Sequence, residues 1–454
     1  MLSYREYAPQ REMPLLYWAT FLYMVGVPNF LHFDTSGRTH ANGLFNITSA
    51  CEILIALTAA YALFLTIILE RRTGALRRVR FTAGLWLPLL AIFTVATIFE
   101  PASRMTIHTS KDILISFYRI FEWLVGFGVI LALCRRVPSE YRTAVIVDLI
   151  GRTAWTWVIM VWLFLPIMPS QVYGESEGMP GAAASRLGGQ FLSPSYLATL
   201  AIAAFFYALL IVPPGMLRRV GCFVAALTVV LAHTRIEQLS FLILLLVYAV
   251  FLSRKVSLRI LTLGLIGVAT GMAMIFRDAI VGYLARGQAV QTLGTLDGRL
   301  AVWQASLEAA RQRPYLGYGF VVGAKNAIRD YWTQTNWIPP HAHNEYLHAL
   351  ISGGVLAAVL VAAIYGRMLW TGLRSCRRDA WGTFLFLLSI LFFVRSMGGS
   401  NFTISYTRAG AAFLLTYIAT VSRDPQKEPE WISSIYDHSP AEPVLEETGS
   451  VVPA

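Results

Sequence analysis

Long, uninterrupted apolar segments recur along this chain of 454 residues, and they restrict it to one kind of fold. About 20 residues of helix are needed to cross a hydrocarbon core of about 30 Å. Candidate spans of roughly that length fall at residues 14–33, 49–69, 82–99, 113–134, 143–167, 193–213, 219–233, 237–252, 258–276, 345–365, 380–397 and 406–422. In lipid, each backbone amide and carbonyl needs a partner within the protein, which leaves helices or a closed barrel. The runs are continuous rather than alternating, and a barrel needs alternation. Only 14% of the residues are charged and 56% are hydrophobic, against about 25% charged in a typical soluble domain. The expectation is an all-α polytopic membrane protein with about 12 transmembrane helices. The first run follows Arg5 and Arg11 without a small-residue cleavage site behind it, so it reads as a retained helix and not a signal peptide.

A net charge of +11 raises the question of nucleic acid, but the distribution of that charge answers it. Arg71, Arg72, Arg77, Arg78 and Arg80 share one loop, and Arg135, Arg136 and Arg142 another. Arg218 and Arg219, then Arg254, Lys255 and Arg259, then Arg367, Arg374, Arg377 and Arg378 follow in alternate connections. The connections between them hold few positive charges. By the positive-inside rule the basic loops are cytoplasmic, so both termini lie inside and the sparse loops outside. Nucleic acid is therefore not an expected partner. Cys51, Cys134, Cys222 and Cys376 do not pair plausibly across the external face, which argues against a disulfide framework and a cysteine metal site.

One stretch departs from the apolar pattern. Residues 277–344 form a polar island between two spans, on the external side by the charge pattern, and make one large, partly helical loop. The rest of residues 1–422 reads as a single transmembrane unit. Residues 423–454 are rich in Pro and Glu without apolar periodicity, and are expected to form a disordered cytoplasmic tail.

Within the island, residues 298–311 have helical character, with Asp297 as a candidate cap. Arg299 and Trp303 are four apart and share a face. Pro314, Gly317 and Gly319 end that helix, and residues 331–340, aromatic and proline-bearing, suit an interfacial lid. A further helix is expected to begin near His343, with His343, Leu347, Leu350 and Gly354 on one face.

Several of these residues suit the chemistry of an anionic, hydroxyl-bearing substrate. The guanidinium fork of Arg235 or Arg299 matches phosphate oxygens, although an arginine at such a boundary also snorkels to headgroups and Trp303 also serves as a packing anchor. The imidazole of His343 titrates near neutrality and can exchange a proton with a sugar hydroxyl, with Asn344 beside it. His341 and His348 compete for that role. No His-Glu-x-x-His spacing is present, and no metal site is expected. Arg186, with Glu175 and Glu177, precedes GGQFLSPSYLATL, whose glycines suit close backbone packing or a flexible entrance. Arg119 and Glu122 in one span are expected to pair internally or to lie near the interface, in a stabilising role. Arg395 and Arg408 flank the last external turn and are expected to widen its positive field.

Together the motifs resemble the O-antigen ligase and polysaccharide polymerase superfamily (WaaL and Wzy types). GRLAVWQASLEAARQRPYLGYGF, residues 298–320, looks like that family's Gly-Arg, Trp, Pro and Gly-x-Gly block. His343-Asn344, followed by Gly354, is similar to its His-Asn motif. Thr234-Arg235 resembles its Ser-Arg turn, though Ile236, Glu237 and Gln238 depart from the usual small residues. LSPSYLA, residues 192–198, is a weaker echo of a Pro-Asn motif.

The resemblance implies an inverting, metal-independent glycosyltransferase without a cofactor, in the inner (cytoplasmic) membrane of a bacterium, with its active site periplasmic. The implied donor is an undecaprenyl-diphosphate-linked glycan. Arg235 and Arg299 would grip the diphosphate and His343 would serve the acceptor hydroxyl, supported by Asn344, Trp303 and Arg186. Polymerisation of exopolysaccharide or O-antigen repeat units is the favoured reading, with other assembly proteins as possible partners. A ligase acting on lipid A–core is the alternative within the family, and a lipid-linked oligosaccharide transporter the alternative outside it.

Overall fold

The computed structural model describes residues 14–27, 47–73, 84–103, 109–174, 185–253, 298–333, 341–403 and 408–423, with scattered positions between 256 and 276 and Pro339. Expectations for Asp297, Glu175, Glu177, most of the 258–276 span, most of the 331–340 segment and the tail beyond Arg423 lie outside those residues.

Every expected span on described residues coincides with a helix. These are α1 (Pro14–Val25), α2 (Ile47–Thr73), α3 (Trp86–Ser103), α4 (Ser110–Arg136), α5 (Ser139–Phe164), α6 (Pro194–Leu210), α7 (Met216–Leu231) and α8 (Arg235–Leu246), which continues as a π-helical turn, Val247–Leu252. The island contributes α9 (Arg299–Gln312) and α10 (Val322–Asp330), and the chain closes with α11 (Glu345–Ser375), α12 (Ala380–Gly398) and α13 (Arg408–Ser422). Among the described residues, six helices are long and apolar enough to cross a membrane and four shorter ones are apolar. Among the described residues, strand pairing is confined to a small hairpin, β1 (Tyr173–Gly174) paired antiparallel with β2 (Arg186–Leu187).

The helices pack around an aromatic core. Trp86 of α3 lies 4.9 Å from Phe402 and 5.8 Å from both Phe413 and Tyr417, ring centre to ring centre. Arg119 and Glu122 of α4 form the expected pair, Nη1 to Oε2 at 2.8 Å, with Glu122 buried. An ionic pair at such depth needs this closeness to offset its desolvation.

The two ends of the bundle differ. At one end Arg377 donates to the carbonyl of Phe251 at 3.0 Å and Arg259 to that of Ser253 at 2.7 Å, so cationic side chains close the C-terminal end of the α8 segment. At the other end lie the N-termini of α6, α8 and α11, the C-terminus of α12, and the island.

The island is locked to the bundle by backbone. In α11, Gly353 and Gly354 leave helical geometry, with φ of −143° and +73°, so the helix ladder opens there. The island fills the opening. Tyr318 N–H donates to Ile351 O at 2.7 Å, Gly319 N–H to Ser352 O at 3.0 Å, and Val355 N–H to Pro314 O at 2.7 Å. Gly317 (φ +68°) could not carry a Cβ, which would lie 2.7 Å from Gly353 N, and at Gly354 one would lie 2.7 Å from Pro314 O. Phe320 then reaches into the bundle, 5.2 Å from Phe93 and 5.3 Å from Trp123, and its N–H donates to Thr97 Oγ1 at 2.8 Å. The remaining residues 355–375 of α11 cover about 30 Å at 1.5 Å per residue, enough for a membrane crossing. A broken helix is what a transporter would show, but here the break holds the island's own backbone.

Candidate functional site

α9 presents Arg299 and Trp303 as the i, i+4 spacing requires, and both reach the chain just ahead of α11. Trp303 Nε1 donates to the carbonyl of Ala342 at 3.1 Å. The Arg299 guanidinium is close enough to His343 to act on its ionisation. It also lies against Gly398 at the end of α12, where an added Cβ would sit 2.6 Å from Nη1. The side chain of Ile236, next to Arg235, crowds the same glycine. Arg299, the start of α8 and the His343 segment are therefore gathered around the last turn of α12.

His343 is not in the helix it precedes, and this corrects the sequence expectation. Its φ is +49°, and Asn344 in extended geometry is the N-cap of α11. Asn344 Oδ1 accepts from the amides of Tyr346 and Leu347, both at 3.0 Å, while Nδ2 donates to the carbonyl of Met397 at 3.3 Å. Asn344 thus does structural work on both sides: it caps α11 and ties it to α12. Nor do His343 and Gly354 share a helix face, since Gly354 lies in the break. His343 N–H donates to His341 Nδ1 at 3.1 Å, and the two rings are 4.0 Å apart. A left-handed, non-glycine residue is strained, and such strain persists only where surrounding contacts hold it.

Burial pushes the His343 pKa down to about 4, with the Arg299 charge adding to the effect. That of His341 is also well below the usual histidine range, through burial first and then His343, His348, Arg299 and Arg395. Both shifts favour the neutral imidazole, and the Nδ1 of His341 is already engaged by the His343 amide.

Arg395 departs from expectation as well. It is 8% exposed, and its Nε lies 3.6 Å from Glu237 Oε1. Its Nη1 donates to Ser400 O at 3.1 Å and to Asn401 Oδ1 at 2.6 Å. A guanidinium so paired braces the loop and adds little external field. Arg408 opens α13.

Around this brace is a buried polar network that sequence reasoning passed over. Ser195 donates to the Glu237 carboxylate. Glu345, in the first turn of α11, accepts from the amides of Asn401, of Phe402 at 3.2 Å and of Thr403 at 2.9 Å. Four helices are joined by these contacts at one end of the bundle. The available signal was the presence of Glu237 and Glu345 at the heads of apolar spans, since carboxylates at membrane depth face the protein interior.

Arg186 is carried by β2, which packs against α7, the helix that leads into Thr234 and Arg235. Its glycines serve close packing: Gly188 has φ +103°, and a Cβ there would lie 3.2 Å from Pro194 Cα. Among the described residues, no three His, Cys, Asp or Glu side chains come together as a metal site.

No curated protein matches the sequence. Residues 220–362 match the model of a family described as O-antigen ligase (Wzy_C). That stretch is under a third of the chain and contains Arg235, Arg299, Trp303, His343 and Asn344. The match supports glycosyl transfer of the ligase or polymerase type in general terms. The match over residues 220–362 supports the resemblance of this chain to the O-antigen ligase and polysaccharide polymerase superfamily.

Proposed function

We propose that this protein transfers a glycan from an undecaprenyl-diphosphate carrier to a glycan hydroxyl at the periplasmic face, with inversion and without a metal. Polymerisation of exopolysaccharide or O-antigen repeat units is the favoured reaction. The observation that carries this reading is the gathering of Arg299, the Arg235 end of α8 and His343 around the last turn of α12. In the proposed step the acceptor oxygen attacks the anomeric carbon from the side opposite the diphosphate. The carbon–oxygen bond to phosphate breaks, and the electron pair leaves with undecaprenyl diphosphate. The acceptor proton passes to the neutral His343 imidazole. Arg235 and Arg299 stabilise the charge growing on the leaving diphosphate, in a site where water is sparse and such donors act strongly. Asn344 and Trp303 hold the His343 segment in register, and Arg186 supports the approach to α8.

The family description favours one second reading, transfer of a finished chain to lipid A–core by a ligase. Glycans from a deletion strain distinguish the two: single repeat units left on lipid indicate a polymerase, and long undecaprenyl-linked chains a ligase. His343→Ala is expected to abolish product at normal expression and insertion. Full-length polymer made by that variant would remove His343 from the chemistry.

A further inference from the structure

The start of α8 carries the sequence of a closed cap and the structure of an open one. Thr234, Arg235, Ile236 and Glu237 form a Thr-x-x-Glu sequence, in which the threonine hydroxyl ordinarily accepts from the amide of the glutamate and the glutamate reaches back to the threonine amide. Thr234 has the extended N-cap backbone (φ −109°, ψ 111°) and its carbonyl accepts the first helical bond, from Gln238 N–H at 2.9 Å. Yet its side chain makes no cap bond. Glu237 is turned away to Ser195 and Arg395. The Thr234 hydroxyl is left buried, in a residue only 5% exposed, with no hydrogen-bond partner among the described residues.

A buried hydroxyl without a partner is unfavourable, and the first-turn amides of a helix are donors without intrahelical partners. Both stand at the positive end of the helix macrodipole, next to Arg235. Glu237, the one carboxylate of that turn, is offset by Arg395. The backbone ahead of the cap is fixed in an unusual form, with His233 at φ +48°, as the chain before Asn344 is at His343. Helix N-termini with such free donors bind phosphate.

We infer that the open cap of α8 is a phosphate seat, in which the Thr234 hydroxyl and the first-turn amides donate to one phosphate of the lipid diphosphate. This rests on the diphosphate reading above and adds a residue of a different kind to it. The hydroxyl binds no protein group because its partner is the substrate, and Glu237 keeps the seat open by pairing elsewhere.

Thr234→Val tests this, because valine has nearly the shape of threonine and lacks only the hydroxyl. The full-length protein in nanodiscs would be assayed for binding of undecaprenyl diphosphate, alongside its thermal unfolding. The variant is expected to unfold at the same or a higher temperature and to bind about tenfold or more weakly, as for loss of a hydrogen bond to a charged group. Thr234→Ser should restore binding. Wild-type binding by Thr234→Val overturns the inference, as does a markedly lower unfolding temperature with binding intact, since the hydroxyl would then be an ordinary cap. Should the valine variant fail to fold, Thr234→Ala against Thr234→Ser makes the same comparison. Arg235→Gln is the separate arm: undiminished binding there rejects the diphosphate reading itself. Loss in Arg235→Gln but not in Thr234→Val rejects the hydroxyl's role alone.

Discussion

Gly354→Ala should disable this protein without unfolding its membrane bundle. Gly354 has φ +73° and ψ −172°, a region essentially closed to residues with a Cβ, and occupying it costs roughly 1–3 kcal/mol. The added methyl would also meet the Tyr315 carbonyl and lie 2.7 Å from that of Pro314, an overpacking worth about 1–3 kcal/mol. The backbone can relieve both only by parting the three hydrogen bonds that dock the island onto Ile351, Ser352 and Val355. Taking the middle of these ranges, docking weakens by about 4 kcal/mol, a factor of nearly a thousand. Purified protein would be compared for glycan transfer and for proteolytic cleavage within residues 299–330. The expected result is a large loss of turnover with faster cleavage of the island and intact membrane helices. Gly366→Ala is the control, because that glycine of the same helix has open space around its Cβ position and alanine favours helix. Wild-type turnover and protection in Gly354→Ala would refute the interlocked-glycine argument.

Other outcomes follow from the site. With His343 held near 4, kcat/KM for the free enzyme should stay level below neutrality and fall only as pH approaches that value. Arg299→Gln removes a charge that lowers this pKa, so the acid limb should move up; an unmoved limb near 6.5 would exclude His343 as its source. The same depression means that the neutral imidazole favours the fold above its unfolded pKa of about 6.5, an advantage lost as pH falls from there through 4; thermal unfolding against pH would reveal it. Arg299→Lys should cost tenfold or more in turnover, because a point charge does not reproduce a fork; a fully active lysine variant would make charge alone sufficient. Trp303→Phe should lower turnover several-fold at near-normal stability, as it loses the bond to Ala342, and unchanged turnover would make Trp303 a packing residue.

The spans were legible because lipid imposes length and apolarity directly on sequence, and α1 to α8 and α11 to α13 fall where the runs lie. Arg299 and Trp303 were legible from helical spacing, and Gly317, Gly319 and Gly354 as glycines that needed a reason. That reason was hidden because it joins residues 314–319 to 351–355 through backbone atoms, which carry no residue-specific signal. His343 was misplaced for a related cause. Helical periodicity extrapolates backwards past an N-cap, whereas Asn344 starts the helix and puts His343 in a left-handed turn. Arg395 was read as a field-widening charge because sequence shows the charge and not its partner, Glu237, 158 residues away. The position of Glu345 at the head of an apolar span was a signal, but its partners, the amides of Asn401 to Thr403, were hidden for the same reason.

The joint between the island and α11 also sets an order of assembly. Phe93 and Trp123 precede the island in the chain, so they are already made when Phe320 emerges. Ile351 and Ser352 are made later, with the span that must enter the membrane next. Phe320 can therefore seat before α11 exists, but the amides of Tyr318 and Gly319 must wait for carbonyls that arrive only when α11 inserts and bends. The island is competent only after the following span is in place, so a chain stalled or truncated before residue 355 would carry the arginine of α9 without the geometry to use it. For the same reason, a graft of this island into a member of that superfamily has to bring residues 345–355 with it.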